Sequence, residues 1–241
     1  MLLIVLPISA IFLYYRPSDL GLQPDNGRVP SKIETSNTLI QSTWTFDEAR
    51  RTWAFWLILM VGFGALFSVR LLTVHQIAAA VDAGISRATA ATIMGTSGLI
   101  VIAAFIGWGA ISDRLGRRRT YVLSSIAMAA AYLTLLAVQT ETDLMWLYLY
   151  AVLVGLGEGS RSSLVTAVMN DTFPGNASGY LTGWVGFAFG AGSAVGSWLA
   201  GVLFDLTGNY DAALWTGFGV TVLSALCMAL LGTVGHRPLK L

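Results

Sequence analysis

Gly107-Trp108-Gly109-Ala110-Ile111-Ser112-Asp113-Arg114-Leu115-Gly116-Arg117-Arg118-Arg119 joins two long apolar runs, and its reading decides the fold. Four arginines and one aspartate crowd into a short turn between segments long enough to cross a bilayer. Basic residues gather on the cytoplasmic side of membrane helices, so this turn lies inside and orients everything around it. Its glycines allow two helices to approach, and a carboxylate meets arginines where they cross.

Composition agrees. The chain has 241 residues, 55% apolar and 11% charged, with a mean hydropathy of +0.69. Soluble domains carry about 25% charged residues, so most of this chain is solvated by lipid. A formal net charge of +1 makes no electrostatic case for a nucleic-acid partner. Cys227 is the single cysteine, which excludes an internal disulfide, and its apolar setting makes it a packing residue.

A spanning helix needs about 20 mostly apolar residues. Six stretches qualify: Trp53–Val74, Ala88–Ile111, Tyr121–Val138, Leu144–Met169, Tyr180–Phe204 and Ala212–Val234. The fold class is therefore all-α, a multipass transmembrane helical bundle. Met1–Tyr15 would be about 22 Å long as a helix, short of a hydrocarbon core of about 30 Å. It lacks the basic start and the Ala-x-Ala site of a signal peptide. It reads as the remnant of a truncated transmembrane helix or as a short anchor.

Four regions follow: the remnant at 1–15, a polar cytoplasmic linker at 16–51, a six-helix half-bundle at 52–235 and a cytoplasmic tail at 236–241. The linker closes on Thr45-Phe46-Asp47-Glu48, a capping-box pattern just before the first full span. With the linker inside, alternation places Arg114–Arg119 and the tail inside too. Eleven of the fourteen basic residues then lie on the inner side. The outer links, Thr140–Asp143 and Asp205–Asp211, contain acids and no Lys or Arg. The flipped topology reverses this bias and is rejected. Asn170 and Asn176 match the glycosylation pattern but fall in an inner link, so the matches are coincidental.

Gly109-x-x-x-Asp113-x-x-Gly116 recurs as Gly201-x-x-x-Asp205-x-x-Gly208, displaced by 92 residues. Both copies end a Gly- and Ala-rich span, the second and the fifth. One lies at the inner face and the other at the outer face, as an inverted repeat of three plus three helices requires.

Gly107-x-x-x-x-x-Asp113-Arg114-x-Gly116-Arg117-Arg118 resembles the signature of the major facilitator superfamily, in the link between the second and third helices of each six-helix half. Tyr14-Tyr15-Arg16-Pro17 through Asp25 is similar to the end of that family's sixth helix and the start of its central loop. The wording resembles the branch of monocarboxylate and oxalate/formate porters, as does Gly201 to Tyr210 at the end of the eleventh helix. The resemblance covers essentially the whole chain and implies a C-terminal half; the family's first five helices and much of its sixth have no counterpart. It implies secondary transport by alternating access, in a plasma or bacterial inner membrane. The implied partners are membrane lipid, a small-molecule substrate with protons as a candidate coupling ion, and an N-terminal half or a second copy of the chain.

Asp113 can accept charge-assisted hydrogen bonds from Arg117 or from a neighbouring helix end, and such a pair gives the two discrete arrangements a gate needs. The gating set is Gly107, Asp113, Arg114, Gly116, Arg117 and Arg118; a topology-holding, lipid-binding role for the arginines is the plainer alternative. Glu158 and Arg161 lie around the middle of the fourth span, where a charge costs roughly 2.5–3.5 kcal/mol on insertion scales. At i,i+3 they share a helix face and can pair. Arg161 either holds an anionic substrate, with Glu158 modulating it or carrying a proton, or joins a structural ion pair. Arg70 and His75, near the outer end of the first span, line the cavity or reach the interface. In the fifth span Gly183, Gly186, Gly190, Ser193 and Ser197 align along one side, a small face for tight packing.

No His/Cys/Asp cluster has metal-ligand spacing, and no nucleophile setting appears, so no cofactor, no metal and no enzyme activity is expected. The favoured substrate is a small organic anion such as a carboxylate. Another solute class, or a non-transporting membrane scaffold or fragment, stays open.

Overall fold

A computed structural model describes residues 44–140, 142–175 and 177–234. The remnant at 1–15, most of the linker and the tail lie outside the described residues, as does Asn176. The described residues form α1 (Phe46–Ala49), α2 (Trp53–Asp82), α3 (Arg87–Leu115), α4 (Arg117–Leu136), α5 (Leu144–Glu158), α6 (Arg161–Thr172), α7 (Ser178–Thr207) and α8 (Asp211–Val234), with no strand among them. Five of these, α2, α3, α4, α7 and α8, are long and apolar enough to cross a membrane. The expectation of an all-helical membrane bundle is met.

Four local expectations need correction. The capping box exists: Thr45 accepts from the Glu48 amide, and Glu48 reaches back to the Thr45 amide at 2.9 Å. Yet it caps a single turn, and the span has its own cap, Thr52, which accepts from the Phe55 amide. Second, α2 runs to Asp82, about two turns beyond the apolar run, so Arg70 and His75 lie within it rather than at its end. At 1.5 Å per residue its 30 residues span about 45 Å, enough to cross a bilayer with tilt.

Third, the arginine turn is shorter than its charges suggest. Gly116 alone separates α3 from α4, at φ 85°, a left-handed conformation that glycine adopts without steric cost. Arg117, Arg118 and Arg119 therefore form the first turn of α4, where the helix dipole disfavours cations. Fourth, the stretch Leu144–Met169 is not one helix. It breaks at Gly159-Ser160 into α5 of 15 residues and α6 of 12. The sequence carried a signal, the polar run Glu158-Gly159-Ser160-Arg161-Ser162-Ser163, which reads as a charged site inside one span unless it is taken as a break.

The glycines of α5 explain the break in packing terms. A Cβ on Gly155 would strike Ile100 and the Ser97 carbonyl, one on Gly157 the Met128 backbone, and one on Gly159 Ala104 and the Val101 carbonyl. The end of α5 is thus wedged between α3 and α4 at van der Waals limits. Trp108 adds a hydrogen bond from its indole N–H to the Leu156 carbonyl, 2.8 Å.

The pairing of helices obeys one exchange rule. With α5 and α6 counted as one broken element, the six elements form two consecutive triplets. Swapping the triplets turns α2–α7 into α5–α3, α2–α8 into α5–α4, and leaves α4–α8 in place; each of these packed pairs is present. Gly116 and Gly208, the matched glycines of the sequence repeat, both end their helices at positive φ, 85° and 74°. Exchange thus holds for sequence, capping and packing.

The tightest seam joins α2 and α7. A Cβ on Gly192 or Gly196 would collide with the carbonyl oxygens of Phe63 and Phe67. These are not the glycines the sequence put forward: around Gly183, Gly186 and Gly190 nothing lies within 4 Å of an added Cβ. Gly107 and Gly109 are likewise open, so they do not bring two described helices together. The α3 face carrying Leu99, Ile102 and Ile106 is exposed at 71%, 63% and 71%, which suits lipid or another apolar surface. The core itself divides into two apolar clusters, one around Met128 and Tyr150, the other around Tyr121 and Val165. Residues 155–163 belong to neither, so the helix break falls between them.

Candidate functional site

Arg161 is the first residue of α6 and is 1% exposed. Burying an ionised guanidinium is costly unless its donors find acceptors. One does: Nη2 donates to the Tyr121 hydroxyl at 3.2 Å, and the guanidinium carbon lies 5.1 Å from the centroid of the same ring. Nε and Nη1 have no hydrogen-bond partner among the described residues. Ser160 beside it is 4% exposed, and its hydroxyl also lacks a partner. Two adjacent buried side chains thus keep unused hydrogen-bonding capacity at the start of a half-helix, between the two apolar clusters.

Glu158 ends α5, and the break separates it from Arg161; among the described residues the two form no ion pair. The i,i+3 argument fails because it assumed a continuous helix. Instead Glu158 is within electrostatic reach of Arg70 on α2 and of Tyr150. Tyr150 donates to Gln76 Oε1 at 2.6 Å. His75 faces another neighbour: its Nε2 lies 3.1 Å from the Ser197 carbonyl of α7, so the proton sits on Nε2. The chain leaves Glu158 within electrostatic reach of Arg70, places Arg161 with Tyr121, and spends His75 on the α2–α7 seam.

The arginine turn is latched, though not through Asp113. Arg117 Nε pairs with Asp171 near the end of α6 at 2.5 Å, while Asp113 is exposed and makes no ion pair among the described residues. Asp113 and Arg117 instead share the wall of a cavity of about 200 Å³ with Ser112, Ser160 and Ser163. The helix break and the arginine turn therefore open on the same space. Arg118 lies toward α8, its Nη1 3.6 Å from an added Cβ on Gly232. Asp205 and Gly208 sit at the end of α7, as their counterparts Asp113 and Gly116 do at the end of α3.

Sequence reasoning passed over Tyr121, Ser224, Ser160 and Asp171. Asp171 had a signal, an acid in a short link facing a basic one. Tyr121 had none, since a tyrosine at a span's start reads as an interfacial anchor.

Five membrane-length apolar helices among the described residues define an integral, multipass membrane protein. The chain belongs to the Major Facilitator Superfamily: the model of that family matches residues 58–240. It is similar to an Agrobacterium vitis protein named for tartrate transport, 25% identical over 157 residues, which are 65% of this chain and 34% of that protein. It is also similar to the class H tetracycline resistance protein of Pasteurella multocida, 28% identical over 101 residues, 42% of this chain and 24% of that protein. The matches thus span about a third or less of the length of these relatives.

Proposed function

We propose that the chain forms the C-terminal six-helix half of a secondary transporter that moves a small organic anion by alternating access across a plasma or bacterial inner membrane. One observation supports the substrate class: Arg161, buried at a helix break, keeps Nε and Nη1 free of any hydrogen-bond partner among the described residues. In transporters, broken helices near the membrane midplane hold substrate, and a half-helix N-terminus adds favourable potential for an anion. A carboxylate could take two parallel N–H bonds from the guanidinium. Glu158, within electrostatic reach of Arg70, is suited to tuning the site or carrying a proton. The name of the Agrobacterium vitis protein fits this reading. The name of the Pasteurella multocida protein favours a second one, a larger solute such as tetracycline.

Residues 52–235 are read as one half-bundle whose cavity needs a second wall, supplied by an N-terminal half or a second copy. The porter branch of monocarboxylates and oxalate/formate remains the family placement the motifs favour. The test is uptake of radiolabelled tartrate by proteoliposomes holding the transporter that contains this chain. Arg161→Ala is expected to raise the KM or abolish uptake, a loss of roughly 30-fold or more for a charged double hydrogen bond, with membrane insertion unchanged. Uptake retained in that variant removes the anchor, and uptake of tetracycline without tartrate favours the second reading.

A further inference from the structure

Tyr121 meets Arg161 twice, with its hydroxyl at Nη2 and with its ring beneath the guanidinium. Its hydroxyl also lies 2.6 Å from Ser224 Oγ on α8, and Ser224 donates at 3.2 Å to the Val61 carbonyl on α2. The direction of these bonds is fixed by chemistry. A guanidinium only donates, so the Tyr121 oxygen accepts from Arg161 and its own proton goes to Ser224, whose proton goes to Val61. The chain runs one way, from α6 through α4 and α8 to α2. Every link is buried: Tyr121 is 0% exposed and Ser224 3%. Ser224 lies close against α2, its Cβ 3.0 Å from where a Cβ on Gly64 would be, so α2 and α8 approach closely at this link.

Nη2 carries two hydrogens, and Tyr121 takes one. A guanidinium has two forks, Nε with Nη2 and Nη1 with Nη2, each made of two parallel N–H bonds. Whichever Nη2 hydrogen Tyr121 uses, the other completes one fork. The partnerless Nε and Nη1 are therefore not scattered donors: one of them belongs to an intact fork with a fixed direction.

We infer that Tyr121, and Ser224 acting through it, are positioning residues that hold the Arg161 guanidinium so that one two-donor fork faces the substrate path, matched to a carboxylate. This rests on the reading of Arg161 as substrate anchor. A floppy arginine would bind anions of any shape; a clamped fork favours a planar pair of oxygens and loses less side-chain entropy on binding.

The experiment is calorimetric binding of tartrate to the purified transporter containing this chain. Tyr121→Phe keeps the ring and removes the clamp, and is expected to weaken binding about tenfold with the number of sites unchanged. Ser224→Ala, which touches no part of Arg161, is expected to weaken it about threefold and to add nothing in the Tyr121→Phe background. A general packing role would make the two effects add. Loss of binding in Arg161→Ala with wild-type affinity in Tyr121→Phe overturns the positioning role alone, as does additivity of the two variants. Failure of the wild type to bind tartrate, or wild-type binding by Arg161→Ala, overturns the anchor reading beneath it. Should Tyr121→Phe fold poorly, Ser224→Ala alone decides, wild-type affinity counting against the inference.

Discussion

Arg117 had a carboxylate four residues behind it and another near the end of α6, and it takes the distant one. A pair with Asp113 would have tied α3 to the start of α4, which Gly116 already joins. A pair with Asp171 ties α4 to the end of α6, and so joins the arginine turn to the half-helix that Arg161 begins. Both side chains are about half exposed, so the pair contributes little to stability and more to which arrangement is favoured. Asp171→Asn is therefore expected to change transport rate several-fold while melting temperature moves little. The double charge reversal Arg117→Asp with Asp171→Arg should restore much of the rate; equal rates in Asp171→Asn and wild type would leave the pair without a gating role. Arg161 was legible in the sequence because a charge inside an apolar run is costly and demands a reason. Its partner was not, because nothing in the order of residues says that Tyr121 faces Ser224, 103 positions away.

At the scale of elements, glycine is legible in kind and illegible in place. The fifth span reads as a small-residue face, and α7 does pack closely on α2. The residues that do it, Gly192 and Gly196, lie beside the ones that spacing selects. A period of three or four marks several stripes on a glycine-rich helix, and the partner decides which is used. Gly196→Ala would set a methyl on the Phe67 carbonyl, a backbone atom that cannot swing away. A cost of about 1–3 kcal/mol is expected, seen as a lower melting temperature in detergent. Gly186→Ala, with nothing near its added methyl, should match the wild type or gain slightly from helix propensity. The broken α5–α6 element is the larger lesson. Hydropathy falls at Glu158–Ser163, but a polar stretch in a span marks a buried site as readily as a break, and only the packing of Gly155, Gly157 and Gly159 against two neighbours distinguishes them.

At the scale of the whole molecule, the exchange of triplets makes a claim about sides. If the two triplets are inverted copies, Gly116 and Gly208 end their helices on opposite faces of the membrane. Arg118→Cys and Asn209→Cys, each close to one of these glycines, should then react with an impermeant thiol reagent from opposite sides, Arg118→Cys from the cytoplasm. Native Cys227 is buried, which keeps the background low. Labelling of both from one side would end the inverted reading while leaving the helical bundle intact. The fold class and the order of spans could be read from hydropathy and arginine placement, because lipid imposes both. Which helices touch could not, since in lipid every apolar face is acceptable until shape selects its partner.

One residue of backbone joins α3 to α4. Any change in the angle between α3 and α4 must therefore be taken up at the φ,ψ pair of Gly116 and the helix ends beside it. Tyr121 lies one turn into α4, and the Arg161 guanidinium is seated on its ring. The charged hairpin and the buried cation thus stand one glycine and one helical turn apart, joined by backbone as far as Tyr121 and by a hydrogen bond beyond it.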